Sequence, residues 1–267
     1  MKIVSSSHKS LILFFASTAL IVGTILAAGF GMGALNSQNT AVSWGLKFNE
    51  QHMPPDGDVR GIEILNDGRG RFLGDESSKA IYLTFDLGYE AGFTADVLDV
   101  LKQKQMRAIF FIAGHYLEVE AELVKRMIDE GHFVGNHSYN HLNPKNNSAE
   151  RVREDTERLQ TAMREKFEVE MVFYRPPSGV FTTDNIAHAS SLGMTTLLWS
   201  VAYQDWGDYT MERQAAVDKL MSRIHPGAIV LLHLSNNTNS DMLPYFIQEV
   251  IAEGYKIGCP SELIIQN

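Results

Sequence analysis

One stretch limits the possible folds more than any other: Ile81-Tyr82-Leu83-Thr84-Phe85-Asp86-Leu87-Gly88. It is a short β-branched and aromatic run ending in a carboxylate and a glycine, the profile of a strand buried on both faces that opens into a loop. Such strands belong to parallel sheets covered by helices, so the run predicts an α/β protein. An acid at its end would stand at the mouth of a sheet or barrel, where these folds place their chemistry. The plain alternative is that Asp86 only caps the next turn, a place Asp favours on its own account.

From residue 79 onward, strand-like and helix-like segments alternate. Strands are predicted over Ala80–Asp86, Arg107–Ala113, His132–His137, Val172–Arg175, Thr195–Ser200 and Ala228–His233, with a weaker one near Tyr255–Gly258. Between them Thr94 is placed to cap a helix that turns Val97, Leu98 and Leu101 inward. Leu117–Glu130 reads as a helix stopped by Gly131, and Asn147 with Glu150 resembles a capping box before Val152, Leu159, Met163 and Phe167. Further helices are expected over Thr183–Leu192, Met211–Ile224 and Asp241–Glu253. The alternation predicts an open doubly wound sheet or a (β/α) barrel. Asp86-Leu87-Gly88-Tyr89-Glu90 is no glycine-rich phosphate loop, which disfavours a nucleotide site and favours the barrel.

The predicted strands end in polar residues with unusual regularity. The first ends at Asp86, the third at His137 with His141 four residues on, and the fourth at Arg175-Pro176-Pro177. The fifth leads through Trp199 to Asp205-Trp206, and the sixth ends Leu231-Leu232-His233. In a parallel sheet all of these gather at one rim. The spacing of His137 and His141 lets one helical turn offer both imidazoles to a single divalent ion, zinc being the expectation. Two prolines after Arg175 fix its backbone and leave a rigid guanidinium to pair with a carboxylate; a surface salt bridge is the alternative. His233 is either a core histidine or a proton donor at a pocket floor, and Asp205 could keep its ring oriented and protonated.

Thr-Phe-Asp-x-Gly, His-Ser-x-x-His, Arg-Pro-Pro-x-Gly, Asp-Trp and Leu-Leu-His, in this order over about residues 79–260, resemble the motifs of the carbohydrate esterase family 4 polysaccharide deacetylases, the NodB homology domain. The resemblance implies a distorted (β/α) barrel and metal-assisted removal of N-acetyl groups from amino sugars. Carried onto this chain, it makes Asp86 the general base, His137 and His141 metal ligands, and His233 the general acid. Arg175 would orient Asp86, and Asp205 would tune His233. Trp44-Gly45-Leu46-Lys47, Pro54-Pro55, Phe85 to Glu90 and Trp199-Ser200-Val201-Ala202 are similar to the PdaA-type, muramic δ-lactam-forming deacetylases of spore formers. There the substrate is N-acetylmuramic acid in peptidoglycan glycan strands. Leu87 departs from the family pattern, in which a third protein ligand of the metal stands at this position; the ion would then rest on His137, His141, waters and substrate, with Asn136 or Asn140 as candidate helpers. An oxyanion would be met by the backbone N–H of Tyr139 or Asn140. Tyr139, Trp206 and Phe181 are candidate sugar-stacking walls, with packing as the competing role.

Three rivals stay open: a silent glycan-binding relative that has lost the metal at Leu87, a deacetylase of chitin-type oligomers or O-acetyl esters, and a glycosidase pairing Asp86 with Glu90. The charge of −9 argues against a nucleic-acid binder, which needs clustered Lys and Arg. The single cysteine, Cys259, excludes an internal disulfide. Residues 1–35 read as an export signal or membrane anchor, because Lys2 and Lys9 precede an uncharged apolar run. The expected plan is therefore an exported protein, acting as a monomer and touching the membrane through that segment. Residues 36–78 would be an extension packing on a deacetylase domain of residues 79–267.

Overall fold

The computed structural model describes residues 39–49, 52–207 and 209–266. The predicted leader, residues 1–35, lies outside them. No helix among the described residues is long and apolar enough to cross a membrane.

Three two-residue strands come first: Val42–Ser43 (β1), Leu46–Lys47 (β2) and Asp56–Gly57 (β3), with β2 and β3 antiparallel. Helix α1 (Val59–Asp67) starts at Asp58, whose carboxylate accepts from the Gly61 N–H at 2.7 Å. After Gly70–Arg71 (β4) the alternation begins. It runs Ala80–Leu87 (β5), Thr94–Gln103 (α2), Ile109–Ile112 (β6), Gly114–Val119 (α3), Ala121–Asp129 (α4), Phe133–Asn136 (β7), Ala149–Phe167 (α5) and Phe173–Tyr174 (β8). Then come Val180–Phe181 (β9), Thr183–Ser191 (α6), Thr195–Leu197 (β10), Arg213–Met221 (α7), Ala228–His233 (β11), Asn237–Ala252 (α8) and Lys256–Ile257 (β12).

The main sheet has the order β11–β5–β6–β7–β8–β10–β4, with every pairing parallel and β12 also against β5. It curls back on itself. The N–H groups of Ser200 and Val201 donate to the Ile229 carbonyl (3.0 and 3.1 Å), and Leu231 donates to Val201 (2.9 Å), so the chain after β10 reaches β11. Of the two expected architectures the sheet takes the barrel, distorted and held together by short contacts. Strand β5 is buried along its whole length. Its pleat sends Ile81, Leu83, Phe85 and Leu87 into the core beneath the helices, and Ala80 and Tyr82 into the barrel interior with Ile109, Phe111, Phe173 and Leu197. Thr84 and Asp86 follow on that interior side.

Several local expectations are corrected. Thr94 does not cap α2: the preceding residue is Phe93, and the Glu90 carboxylate instead accepts from the N–H groups of Gly92 (2.7 Å) and Thr94 (3.2 Å). Helix α5 begins at Ser148, whose hydroxyl accepts from Arg151, so Glu150 falls one place short of a capping box with Asn147. Leu117–Glu130 divides into two helices at Glu120. Several strands are shorter than predicted because pairing stops early: β7 meets β8 at only one register position, Asn136 opposite Tyr174. Strand β4, which closes one edge of the sheet, was not predicted, since two residues carry no periodic signal.

Trp44 is buried in a cluster with Val42, Ile64, Leu65 and Phe181. Its indole N–H donates to the Trp199 carbonyl (3.0 Å), and its ring centroid lies 4.9 Å from that of Phe72. Strand β1 pairs antiparallel with β9. A Cβ on Gly57 would come within 2.6 Å of the indole, which explains glycine at that strand position. Replacing Trp44 with alanine should therefore cost about 3–5 kcal/mol in denaturant unfolding, as for other buried aromatic truncations. A loss below about 1 kcal/mol would show that the N-terminal strands do not support the barrel.

Candidate active site

Register brings the first two groups together. Strands β5 and β11 pair in parallel with Asp86 opposite His233, so both side chains stand at the same rim. Arg175 follows β8 and reaches across the interior with no exposed surface. Its Nη1 donates to Asp86 Oδ1 and to Thr84 Oγ1, both at 2.8 Å, and its Nε donates to the Leu197 carbonyl at 2.9 Å. The guanidinium lies 4.1 Å from the Phe111 ring centroid. This is a buried pair and not the surface salt bridge that was the alternative. Burial pushes the Asp86 carboxyl up, but Arg175, His137 and His233 outweigh it and hold the group below the usual carboxylate range. Asp86 is thus an ionised acceptor with one oxygen pinned.

On the other side, Asp205 Oδ1 accepts the Nδ1–H of His233 at 2.8 Å. Burial works against the imidazolium, yet that hydrogen bond and the Asp205 charge raise the His233 pKa above its ordinary value. The rim therefore carries an ionised carboxylate and a proton-bearing imidazole, set apart by different partners.

Between these elements lie the two other histidines. The His137 ring is buried, and its Nδ1–H donates to the Arg175 carbonyl at 2.8 Å, since a carbonyl only accepts. Burial pushes this imidazole down to about 4, so the ring is neutral at ordinary pH. Its bare Nε2 then stands 3.6 Å from Asp86 Oδ2. Two acceptors placed so close suit a cation or a water donating between them. His141 also lies below its ordinary pKa through burial, and the two ring centroids are 5.0 Å apart.

The pair is not presented by a helical turn, as the spacing predicted. Ser138 and His141 have φ values of 61° and 55°, and residues 137–141 form an irregular bend. Asn136 Oδ1 accepts from the Ser138 N–H (2.9 Å), while Asp155 accepts from the N–H groups of Tyr139 (3.2 Å) and Asn140 (2.9 Å). These bonds also engage the residues proposed for other roles. Asn136 is tied at both ends, donating to the Thr156 carbonyl and accepting from Ser138, and the Asn140 amide nitrogen donates to the Asp155 carboxylate. The N–H groups of Tyr139 and Asn140, expected to meet an oxyanion, are both directed at Asp155.

Two of the three predicted sugar walls are committed to other partners. Phe181 is fully buried in the cluster around Trp44. The Tyr139 hydroxyl donates to Glu118, and Arg158 lies 3.6 Å over its ring. Trp206 stands beside the site, exposed and 5.9 Å from the His233 ring. Glu90, the second acid of the glycosidase reading, is occupied by Thr94, Tyr116 and Gly92.

Leu87 is 2% exposed and packs in the helix-side core, on the face of β5 opposite Asp86. Among the described residues, no cluster of three or more His, Cys, Asp or Glu side chains is set to hold a metal ion. The donor set fits a cation gripped by His137 and His141 and falls one protein ligand short of the usual catalytic arrangement. Thr84 and Asn239 went unnoticed in the sequence. The former lies two residues before Asp86 on the same pleat face, and the latter donates to Asp205 at 2.6 Å.

Residues 74–197 match the family described as polysaccharide deacetylase. The chain is 38% identical over 231 residues to an uncharacterised 30.6 kDa protein of Geobacillus stearothermophilus, covering 86% of this chain and 87% of that one. It is 33% identical over 254 residues to the peptidoglycan-N-acetylmuramic acid deacetylase PdaA of Bacillus subtilis, covering 93% and 95%. The solved structure of Bacillus subtilis PdaA, a family 4 carbohydrate esterase, superposes with a TM-score of 0.79 at 34% identity, over 84% of this chain and 97% of that one.

Two measurements follow from the site's electrostatics. Arg175→Met should lose about 3–5 kcal/mol of stability, because it leaves the Asp86 carboxylate buried without its partner. Asp86→Asn in the same background should recover part of that loss; no recovery would mean the pair is not coupled. His132 and His137 both sit at about 4 in the folded protein against 6.5 ordinarily. The unfolded chain thus binds protons that the native state refuses, and stability present above about pH 6.5 drains away towards pH 4. Each group contributes at most about 1.4 kcal/mol per pH unit. Denaturant unfolding from pH 6.5 to 4.5 should show a fall of about 2 kcal/mol or more, reduced in His132→Gln; a flat profile would refute it.

Proposed function

The chain belongs to the polysaccharide deacetylases of carbohydrate esterase family 4, and from that membership we propose that it hydrolyses the N-acetyl amide of N-acetylmuramic acid in peptidoglycan glycan strands, on the way to muramic δ-lactam in spore cortex. The observation that carries the reading is one rim holding an ionised, Arg175-pinned Asp86 and an Asp205-bound His233 around two imidazoles. Amide hydrolysis needs a base for water and an acid for the leaving nitrogen, and these two groups are poised in opposite senses. The choice of muramic acid is supported by the likeness to PdaA along nearly the whole chain, the Trp44 region included.

Arg175 holds Asp86 Oδ1, leaving Oδ2 to take a proton from water as its oxygen attacks the acetamide carbon. Collapse of the tetrahedral adduct breaks the C–N bond. His233, its Nδ1–H committed to Asp205, gives the Nε2 proton to the departing amine, and acetate is released. A divalent ion, zinc by expectation, would be held by His137 and His141 and would supply Lewis acidity to the carbonyl and the water. Trp206 is the sugar-stacking wall. The apolar N-terminal run would export the protein to the cell envelope or anchor it there.

The silent glycan-binding reading is favoured by one observation, the absence of a donor atom at Leu87. The two part on acetate release from peptide-free glycan strands, with chitin-type oligomers as the comparison substrate. Release should be fastest from the muramic-acid strands, and Asp86→Asn should cut it by about a hundredfold or more while circular dichroism stays native. Turnover retained in that variant would remove the base. Glycan binding without release from any substrate would leave only the silent relative.

A further inference from the structure

Asp205 is held by more than His233. Its Oδ1 accepts the His233 Nδ1–H (2.8 Å), while Oδ2 accepts the His233 main-chain N–H (2.8 Å) and the side-chain amide of Asn239 (2.6 Å). Asn239 lies in the first turn of α8 and is 1% exposed. Its Nδ2 also donates to the His233 carbonyl (2.7 Å), and its Oδ1 accepts from the Tyr203 hydroxyl (2.5 Å). The amide has one possible orientation, because a carboxylate and a carbonyl both accept and neither can donate to a flipped oxygen. One buried amide thus touches the carboxylate, the main chain of the histidine and a hydroxyl on the segment after β10.

We infer that Asn239, itself held by Tyr203, is a positioning residue for the proton donor. It fixes the plane of the Asp205 carboxylate so that Oδ1 remains the acceptor for His233 Nδ1–H and Nε2 stays directed at the leaving nitrogen. A carboxylate bonded at both oxygens cannot turn about its Cβ–Cγ bond without breaking contacts. One that loses the Asn239 bond keeps only the His233 N–H at Oδ2 and is held less firmly, so the neutral imidazole populates its other tautomer more. This rests on the reading of His233 as the acid of deacetylation.

The test uses the full chain with Asn239→Leu, which keeps the volume and removes the amide, and Tyr203→Phe, which removes only the hydroxyl holding it. Acetate release from peptide-free glycan strands gives kcat and KM. Nitrogen-15 NMR of the imidazole, at a pH where it is neutral, gives the His233 tautomer. Asn239→Leu should lower kcat about tenfold or more, with KM within about twofold. The nitrogen shifts should move from a single Nδ1–H form towards a mixture, and Tyr203→Phe should change both in the same direction by less. Unchanged shifts with kcat within about twofold in a folded Asn239→Leu protein would overturn the assignment. If that variant fails to fold, the same result in Tyr203→Phe would overturn it. A wild-type protein that releases no acetate would defeat the deacetylase reading alone, since the shifts still decide whether Asn239 holds Asp205 in place.

Discussion

The structure turns on a guanidinium with no access to water. Arg175 cannot shed its charge, so the barrel interior supplies acceptors to its Nη1 and Nε: a carboxylate from β5, a threonine hydroxyl from the same pleat face and a carbonyl from β10, while Nη2 is buried without a hydrogen-bond partner among the described residues. Those acceptors come from strands far apart in sequence, and holding one arginine ties their ends together at the rim. The Asp86 carboxylate pays a desolvation cost in the same place, offset chiefly by the Arg175 guanidinium, with the His233 imidazole adding to it.

From this follows a division of the two faces of β5. Successive side chains point to opposite sides of a strand, so Asp86 faces the barrel mouth and Leu87 faces the helices. A hydrophobic residue at 87 suits the core it lies in, beside Phe85 and beneath α2. The same pleat keeps it away from the imidazoles. The rim therefore carries an ionised carboxylate and a proton-bearing imidazole while offering a cation two imidazoles and no third protein ligand at position 87.

Much of this was legible in the sequence, for identifiable reasons. Parallel strands buried on both faces give unbroken apolar runs, so β5 and β11 were predicted closely and their terminal Asp86 and His233 fell at one rim. What escaped notice depends on bonds between distant segments. The bend that unites His137 and His141 is set by Asn136 and Asp155, and a four-residue spacing cannot distinguish it from a helical turn. Phe181 and Tyr139 looked like sugar walls only while their partners, the Trp44 cluster and the Glu118–Arg158 pair, were unknown. Strand β4 and the amide of Asn239 carry no local pattern at all.

The balance between an enzyme and a silent binder can be argued from energetics. A groove that only holds a glycan needs exposed aromatic faces and polar edges, and Trp206 would serve it. It gains nothing from a desolvated arginine–carboxylate pair, because such pairs are seldom more stabilising than apolar residues of the same shape. Nor does it gain from an imidazole whose proton affinity is raised by a buried aspartate. Both are costly arrangements of the kind found where protons are moved on and off a substrate, which favours the enzymatic reading proposed above. Water and the substrate's own oxygens can complete the coordination of an ion that two imidazoles begin, whereas nothing from solvent could replace the Asp86–Arg175 and His233–Asp205 pairs.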